Sequence, residues 1–184
     1  MLSRLKRENR EVSIKHVVLT IIFWALTLAC ILLIFLLSNI PLNEATSFTD
    51  VITYIRGEAP KISFSVADNA VVGTIGHLFE FGLLTVFSYM AISSTNKISV
   101  KTSYAESPLK ILKSDNEMNI IFTLWFTILN AIFDEYHQLF ITGHTNGVVD
   151  LCKDIIGIII VLLMIRIIFT ISLKVRGKNE IRYT

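Results

Sequence analysis

The chain has 184 residues, of which 53% are hydrophobic and 17% charged, with a formal net charge of +2. A soluble domain of this length buries one core and carries more charge, so the composition points to a membrane protein. The basic residues flank apolar blocks, which argues against a nucleic-acid partner and leaves attraction to anionic lipid as their secondary role. Cys30 lies inside an apolar run and Cys152 near the start of another, without the paired spacing of a disulfide framework or a thiolate metal site.

In chain order, the apolar residues form blocks rather than a helical alternation, the mark of membrane spans. The first, about 17–37, is uncharged and matches the ~20 residues that cross a bilayer. A short basic start before an apolar run can be a signal peptide, but this run is too long, lacks a small-residue cleavage site and reads as retained. In the following connection, Phe48, Val51, Ile52 and Ile55 repeat at i, i+3, i+4, i+7 after an S-x-x-D start at Ser47 and Asp50. They predict a short amphipathic helix, lying on the outer surface or packed as a lid over the bundle.

The second span, about 71–92, is apolar apart from His77 and Glu80. The stretch 93–117, rich in Ser, Lys, Thr and Asn, reads as a mobile loop. The third span starts near Asn119; its apolar run pauses at Phe133 and resumes at Leu139-Phe140-Ile141, so the helix is expected to reach Ile141. The fourth, about 151–173, has Asp150, Lys153 and Asp154 in its first turn. The fold class expected is an all-α membrane protein, one domain of four transmembrane helices plus the short amphipathic extracytoplasmic helix.

Orientation follows from lysine and arginine. Arg4, Lys6, Arg7, Arg10 and Lys15 precede the first span; Lys97, Lys101, Lys110 and Lys113 lie in the middle connection; Lys174, Arg176, Lys178 and Arg182 follow the last. The first connection has only Arg56 and Lys61, and the third has none before Lys153. Both termini and the middle loop are therefore expected in the cytoplasm.

That topology carries the unusual polar residues to the extracytoplasmic side. The first span ends at Ser38, the second begins with His77 and Glu80 at i, i+3, the third ends with Asp134, His137 and Gln138 at i, i+3, i+4, and the fourth begins with Asp150 and Asp154. Ionisable groups beside lipid are costly unless they face a bundle interior, a partner or water. Each has an ordinary role available. His77 can be an interior hydrogen-bonding group with Glu80 as partner; Asp150 can cap the fourth helix; Asp154 can pair with Lys153; Glu135, offset from its neighbours, can face water. Asn146-Gly147 suits a tight turn, and Gly157 a close helix contact.

Together, His77, Glu80, Asp134, His137, Gln138 and Asp150 are candidates for acid–base chemistry, and Glu135, His144, Asp154 and Ser38 for binding the substrate. His77, His137, Glu80 and Asp134 could also hold a divalent metal through mixed ligands, though without an H-E-x-x-H pattern. A purely structural polar network is the alternative.

The segment Asp134-Glu135-Tyr136-His137-Gln138-Leu139-Phe140, followed by Gly143, Asp150, Asp154 and Gly157, together with Gly76-His77-Leu78-Phe79-Glu80-Phe81-Gly82-Leu83-Leu84, resembles the VanZ family of small bacterial membrane proteins. The resemblance runs from the Ser38 region to the fourth span. The family usually carries a basic residue where this chain has Thr74, an arginine where it has His144, and a tyrosine where it has Phe81. Loss of both basic positions would weaken binding of a phosphate or pyrophosphate. The resemblance implies decreased susceptibility to glycopeptides, above all teicoplanin, and a link to envelope lipids.

The expected function is action at the outer leaflet of the bacterial plasma membrane on a membrane lipid or lipid-linked envelope precursor. His137 or His77 would handle the proton, with Asp134, Glu80 or Asp150 orienting it, and a glycopeptide antibiotic could meet the same surface. A non-catalytic recognition surface is the second expectation. An ion-coupled carrier is the third, and it would need an oligomer, because toward the cytoplasm only Asn130 and Arg166 stand out as polar. The sequence names no cofactor.

Overall fold

The computed structural model describes residues 14–38, 66–98, 108–141 and 147–180, with side chains over 14–38, 74–98, 113–141 and 147–175. The amphipathic helix expected over Phe48–Ile55 lies outside the described residues, as does His144. Four helices make up the described chain: α1 (Ile14–Ser38), α2 (Val66–Asn96), α3 (Pro108–Gln138) and α4 (Gly147–Glu180). Among the described residues there are no strands.

Three stretches are long and apolar enough to cross a membrane: Ile14–Ser38, Thr74–Asn96 and Gly147–Val175. The helix over Pro108–Gln138 falls short of that by composition, and the reason lies on one of its faces. Asn116, Asn119, Thr123 and Thr127, three or four residues apart, and Asp134 and Gln138, on the same face two turns further on, are buried in the bundle. Met118, Ile121, Phe122, Trp125, Leu129, Ile132, Phe133 and Tyr136 cover the opposite face and are exposed. Helices in lipid pack through small and polar residues and turn their apolar ones outward. Across the described residues, buried side chains are more often polar or charged than hydrophobic, while large aliphatic side chains lie exposed on every helix.

Several helix boundaries differ from expectation. The stretch read as a loop is helical at both ends, since α2 continues to Asn96 and α3 begins at Pro108. Proline is well suited to a first helical position, where its missing N–H has no intrahelical partner to lose. The serines and threonines do not break α2 because hydroxyls can bond within the helix, as Thr95 does in donating to the Ala91 carbonyl at 2.8 Å. At its other end α3 closes at Gln138 rather than Ile141. The amides of Phe140 and Ile141 turn back to the carbonyls of His137 and Gln138 at 3.1 and 3.0 Å, tightening the chain into a turn.

Cross-links set the helix directions. Trp24 Nε1 donates to Thr95 Oγ1 at 3.1 Å, so the early part of α1 lies beside the end of α2. Ser38 Oγ donates to Asp134 Oδ1 at 2.5 Å, joining the ends of α1 and α3. His77 and Asp154 join the N-terminal halves of α2 and α4. The ends of α1 and α3 therefore share one end of the bundle with the beginnings of α2 and α4. An apolar cluster of Cys30, Ile34, Phe81, Leu84, Ala131, Ile158 and Leu162 fills the space between that end and the other.

Candidate functional site

The site begins with a glycine. A Cβ on Gly157 would lie 2.8 Å from the Leu78 carbonyl oxygen and 3.1 Å from its Cα, so α2 and α4 meet backbone to backbone there. Asp154 is three residues before Gly157, on the same face, and His77 adjoins Leu78. The close approach brings His77 Nδ1 to 2.9 Å from Asp154 Oδ1. Asp154 is 0% exposed. A carboxylate accepts, so this bond places the imidazole proton on Nδ1 and leaves Nε2 free to accept another. The partner of His77 is thus Asp154, expected from sequence among the binding residues, rather than Glu80. Lys153, the neighbour considered for Asp154, pairs with Asp150 instead.

A second network ties α1 to α3. Besides the bond from Ser38, Asp134 accepts one from Gln138 Nε2 to Oδ2 at 2.7 Å, and the same amide reaches Ser38 Oγ at 3.3 Å. Both Asp134 oxygens are therefore occupied within the bundle, and Asp134 holds helices in place rather than orienting His137. The His137 ring packs on Phe35, with centroids 4.4 Å apart, and its Nδ1 is buried without a hydrogen-bond partner.

Glu135 overturns its reading as a solvated charge. It is 7% exposed, and neither carboxylate oxygen has a hydrogen-bond partner. Its Oε2 lies 2.9 Å from where a Cβ of Gly147 would stand, so the first residue of α4 has to be small for the carboxylate to fit. Asp154, Asp150 and Asp134 are within electrostatic reach of Glu135. Glu80 lies within the fields of His77, Asp134 and Asp154. Asp150, expected as a helix cap, sits one turn inside α4, where the helix dipole also favours an acid. Ser38, His77, Glu80, Asp134, Glu135, His137, Gln138, Asp150 and Asp154 thus occupy one end of the bundle.

A groove of about 190 Å³ runs alongside, between α1, α2 and α3. Ile31, Ile34, Phe35, Phe81, Leu84 and Phe133 form its walls, and Asn130, Asp134 and His137 supply the polar groups. Phe35 and Phe133 are exposed, so the groove opens on the outer, apolar surface of the bundle. The metal reading finds no support in the geometry: among the described residues, no three His, Cys, Asp or Glu side chains gather as ligands.

Sequence reasoning also passed over Tyr89, Ser93, Ser94, Asn116 and Asn119 at the other end, where only Asn130 and Arg166 had stood out. Tyr89 Oη donates to Asn116 Oδ1 at 2.5 Å, and Asn96 Nδ2 donates to Asn119 Oδ1. The signal was the three-to-four spacing of Asn116, Asn119, Thr123 and Thr127, continuous with Asp134 and Gln138.

No curated protein and no solved structure matches the chain. The VanZ/LLP1 family profile matches residues 23–169, a stretch that holds every site residue from Ser38 to Asp154. A match of that extent, over a helical membrane bundle that gathers these residues at one end, shows that the chain belongs to the VanZ/LLP1 family.

Proposed function

We propose that this is a four-span protein of the bacterial plasma membrane, acting at the outer leaflet on a lipid-linked component of the cell envelope and so lowering susceptibility to glycopeptides such as teicoplanin. The outward apolar face of α3 supports reading it as the fourth span despite its polar inner face. The excess of lysine and arginine at both termini and in the middle connection supports a cytoplasmic location for those segments. The polar end then faces outward. Family membership carries the glycopeptide part of the proposal.

One observation carries the chemistry: His77 held by a fully buried Asp154, at the same end of the bundle as a groove that opens on the apolar surface. In this reading a lipid chain lies in the groove with its head group at the polar end. His77 Nε2 accepts a proton from the reacting group, while Asp154 fixes the tautomer and stabilises the imidazolium that forms. His77→Gln keeps a hydrogen-bonding group against Asp154 but cannot shuttle a proton, and Asp154→Asn keeps the shape but not the charge. Both are expected to return teicoplanin susceptibility to that of cells lacking the protein, with the variant present in the membrane at wild-type level. Full resistance in His77→Gln would refute acid–base catalysis.

The non-catalytic reading is favoured by the closed Ser38–Asp134–Gln138 network, which has the form of a register-fixing contact. It predicts that Asp134→Asn, which keeps hydrogen-bonding capacity, retains resistance. Under both readings the protein is a membrane component; they differ in whether a proton moves.

A further inference from the structure

The balance of donors and acceptors at the polar end says what the site lacks. Five carboxylates, Glu80, Asp134, Glu135, Asp150 and Asp154, gather there. Lys153 is the only lysine or arginine in the described parts of that end, and Asp150 occupies it. Asp134 is satisfied by Ser38 and Gln138, and Asp154 Oδ1 by His77. What remains open is His137 Nδ1 and three carboxylate oxygens: Asp154 Oδ2, Glu135 Oε1 and Glu135 Oε2 are buried acceptors with no donor, on residues 0% and 7% exposed. Unpaired carboxylate oxygens in a low-dielectric interior are costly, and a bound donor relieves that cost.

A complement that is positive and rich in N–H or O–H groups matches these open acceptors. Phosphate offers only acceptors and a like charge. A metal ion is not matched by the ligand set, since no three suitable side chains converge among the described residues. An alkylammonium carries three donors on one charge, equal in number to the open oxygens. The groove between α1, α2 and α3 opens at the same end of the bundle, lined by Asp134 and His137 rather than by Glu135 or Asp154, and has room for part of an apolar chain.

We propose that the polar end binds a primary ammonium group carried on a lipid, with Glu135 and Asp154 as its acceptors and the groove holding part of its chain. The proposal rests on the reading of this end as a lipid-facing site, and it names the head group that site takes. Gly147 belongs to the arrangement, because its lack of a side chain leaves room for the Glu135 carboxylate.

The test uses the full-length protein in nanodiscs containing equal parts of phosphatidylethanolamine, phosphatidylcholine and phosphatidylglycerol with the same acyl chains, with retained lipid identified after detergent extraction. Phosphatidylethanolamine should be retained about tenfold over either of the others, the ratio that corresponds to ~1.4 kcal/mol. Phosphatidylcholine has the charge without the N–H donors; phosphatidylglycerol has hydroxyls without the positive charge. Glu135→Gln should abolish the preference, whereas Asp115→Asn at the opposite end should leave it unchanged. Equal retention of the three lipids, or a preference for phosphatidylglycerol, would overturn the proposal.

Should Glu135→Gln fail to accumulate, competition on the wild-type protein decides instead. Dodecylammonium should displace the retained lipid, and dodecyltrimethylammonium at the same concentration should not. Equal displacement by the two would overturn the role of the N–H donors. Displacement by free ethanolamine would show that the amine needs no chain and would overturn the lipid assignment. The lipid preference is read without antibiotic, so it can survive loss of the resistance mechanism. Conversely, His77-dependent resistance with no ethanolamine-lipid preference would sink this inference and leave the proposed function standing.

Discussion

The two ends of the bundle bury polar side chains to opposite purposes. At the far end, neutral donors meet neutral acceptors: Trp24 with Thr95, Tyr89 with Asn116, Asn96 with Asn119. That end also has a cavity of about 380 Å³, lined in part by Tyr89, Asn96, Asn116 and Asn119 from these pairs. At the site end, carboxylates outnumber donors, and Glu135, Asp154 and His137 retain buried atoms without partners. Closed neutral pairs fix register at little electrostatic cost, whereas open charged groups in a membrane interior are expensive and mark function. Cavity size favours the far end, and that half also holds buried His16, Thr20 and Ser88 atoms without partners; what distinguishes the site end is that its open groups include carboxylates.

The largest effect that could break this contrast is His77→Ala. It strands Asp154, which is fully buried, and leaving a buried charge without its partner typically costs ~3–5 kcal/mol. Thermal unfolding in detergent should show a far larger drop for His77→Ala than for Asp154→Asn, because the second leaves a neutral amide that can still bond to the imidazole. Equal drops would mean that the buried carboxylate carries no special burden. Next in size is Gly157→Ala. Its added methyl meets Leu78 backbone, which cannot rotate away, and overpacking of this kind costs roughly 1–3 kcal/mol. Under the proposed function, separation of α2 from α4 should also abolish teicoplanin resistance, while Gly76→Ala, with open space around its would-be Cβ, should keep it.

The legible and illegible parts of this molecule follow from range. Helices α1, α2 and α4 could be read because long apolar runs report their environment locally. α3 was read from an apolar run that pauses at Phe133, and it is less clear-cut because averaging mixes its exposed Phe122, Trp125 and Leu129 with its buried Asn119, Thr123 and Thr127. The alternating directions of the spans brought Ser38, His77, Asp134 and Asp154 to one end before any coordinates. Which acid would meet which imidazole was hidden, because it depends on how α2 and α4 are rotated where Gly157 crosses Leu78. Glu135 was misread for a similar reason: offset from Asp134 on α3, it faces the start of α4 at Gly147, a contact that single-helix spacing cannot show. The end of α3 was placed too late because apolar residues at 139–141 suit either a further helical turn or a turn against lipid.

Smaller effects sharpen the comparison. Ser38→Ala removes a buried donor to Asp134 but leaves the Gln138 amide in place, so the expected loss in thermal unfolding is ~1.5 kcal/mol, the low end of the range for hydrogen bonds to charged groups. Smallest is the coupling between Asn96 and Asn119 at the opposite end. A double-mutant cycle with alanine at each position should give ~0.6 kcal/mol, the usual value for hydrogen bonds between membrane helices, and each variant should retain full resistance. The value is small because an amide released from its partner finds another in a polar neighbourhood that contains Ser93, Ser94 and Asn116. Such a substitute is lacking for Asp154, whose second oxygen already has no donor. A coupling of several kcal/mol accompanied by loss of resistance would mean that the far end takes part in the chemistry, and the division between a structural end and a working end would have to be abandoned.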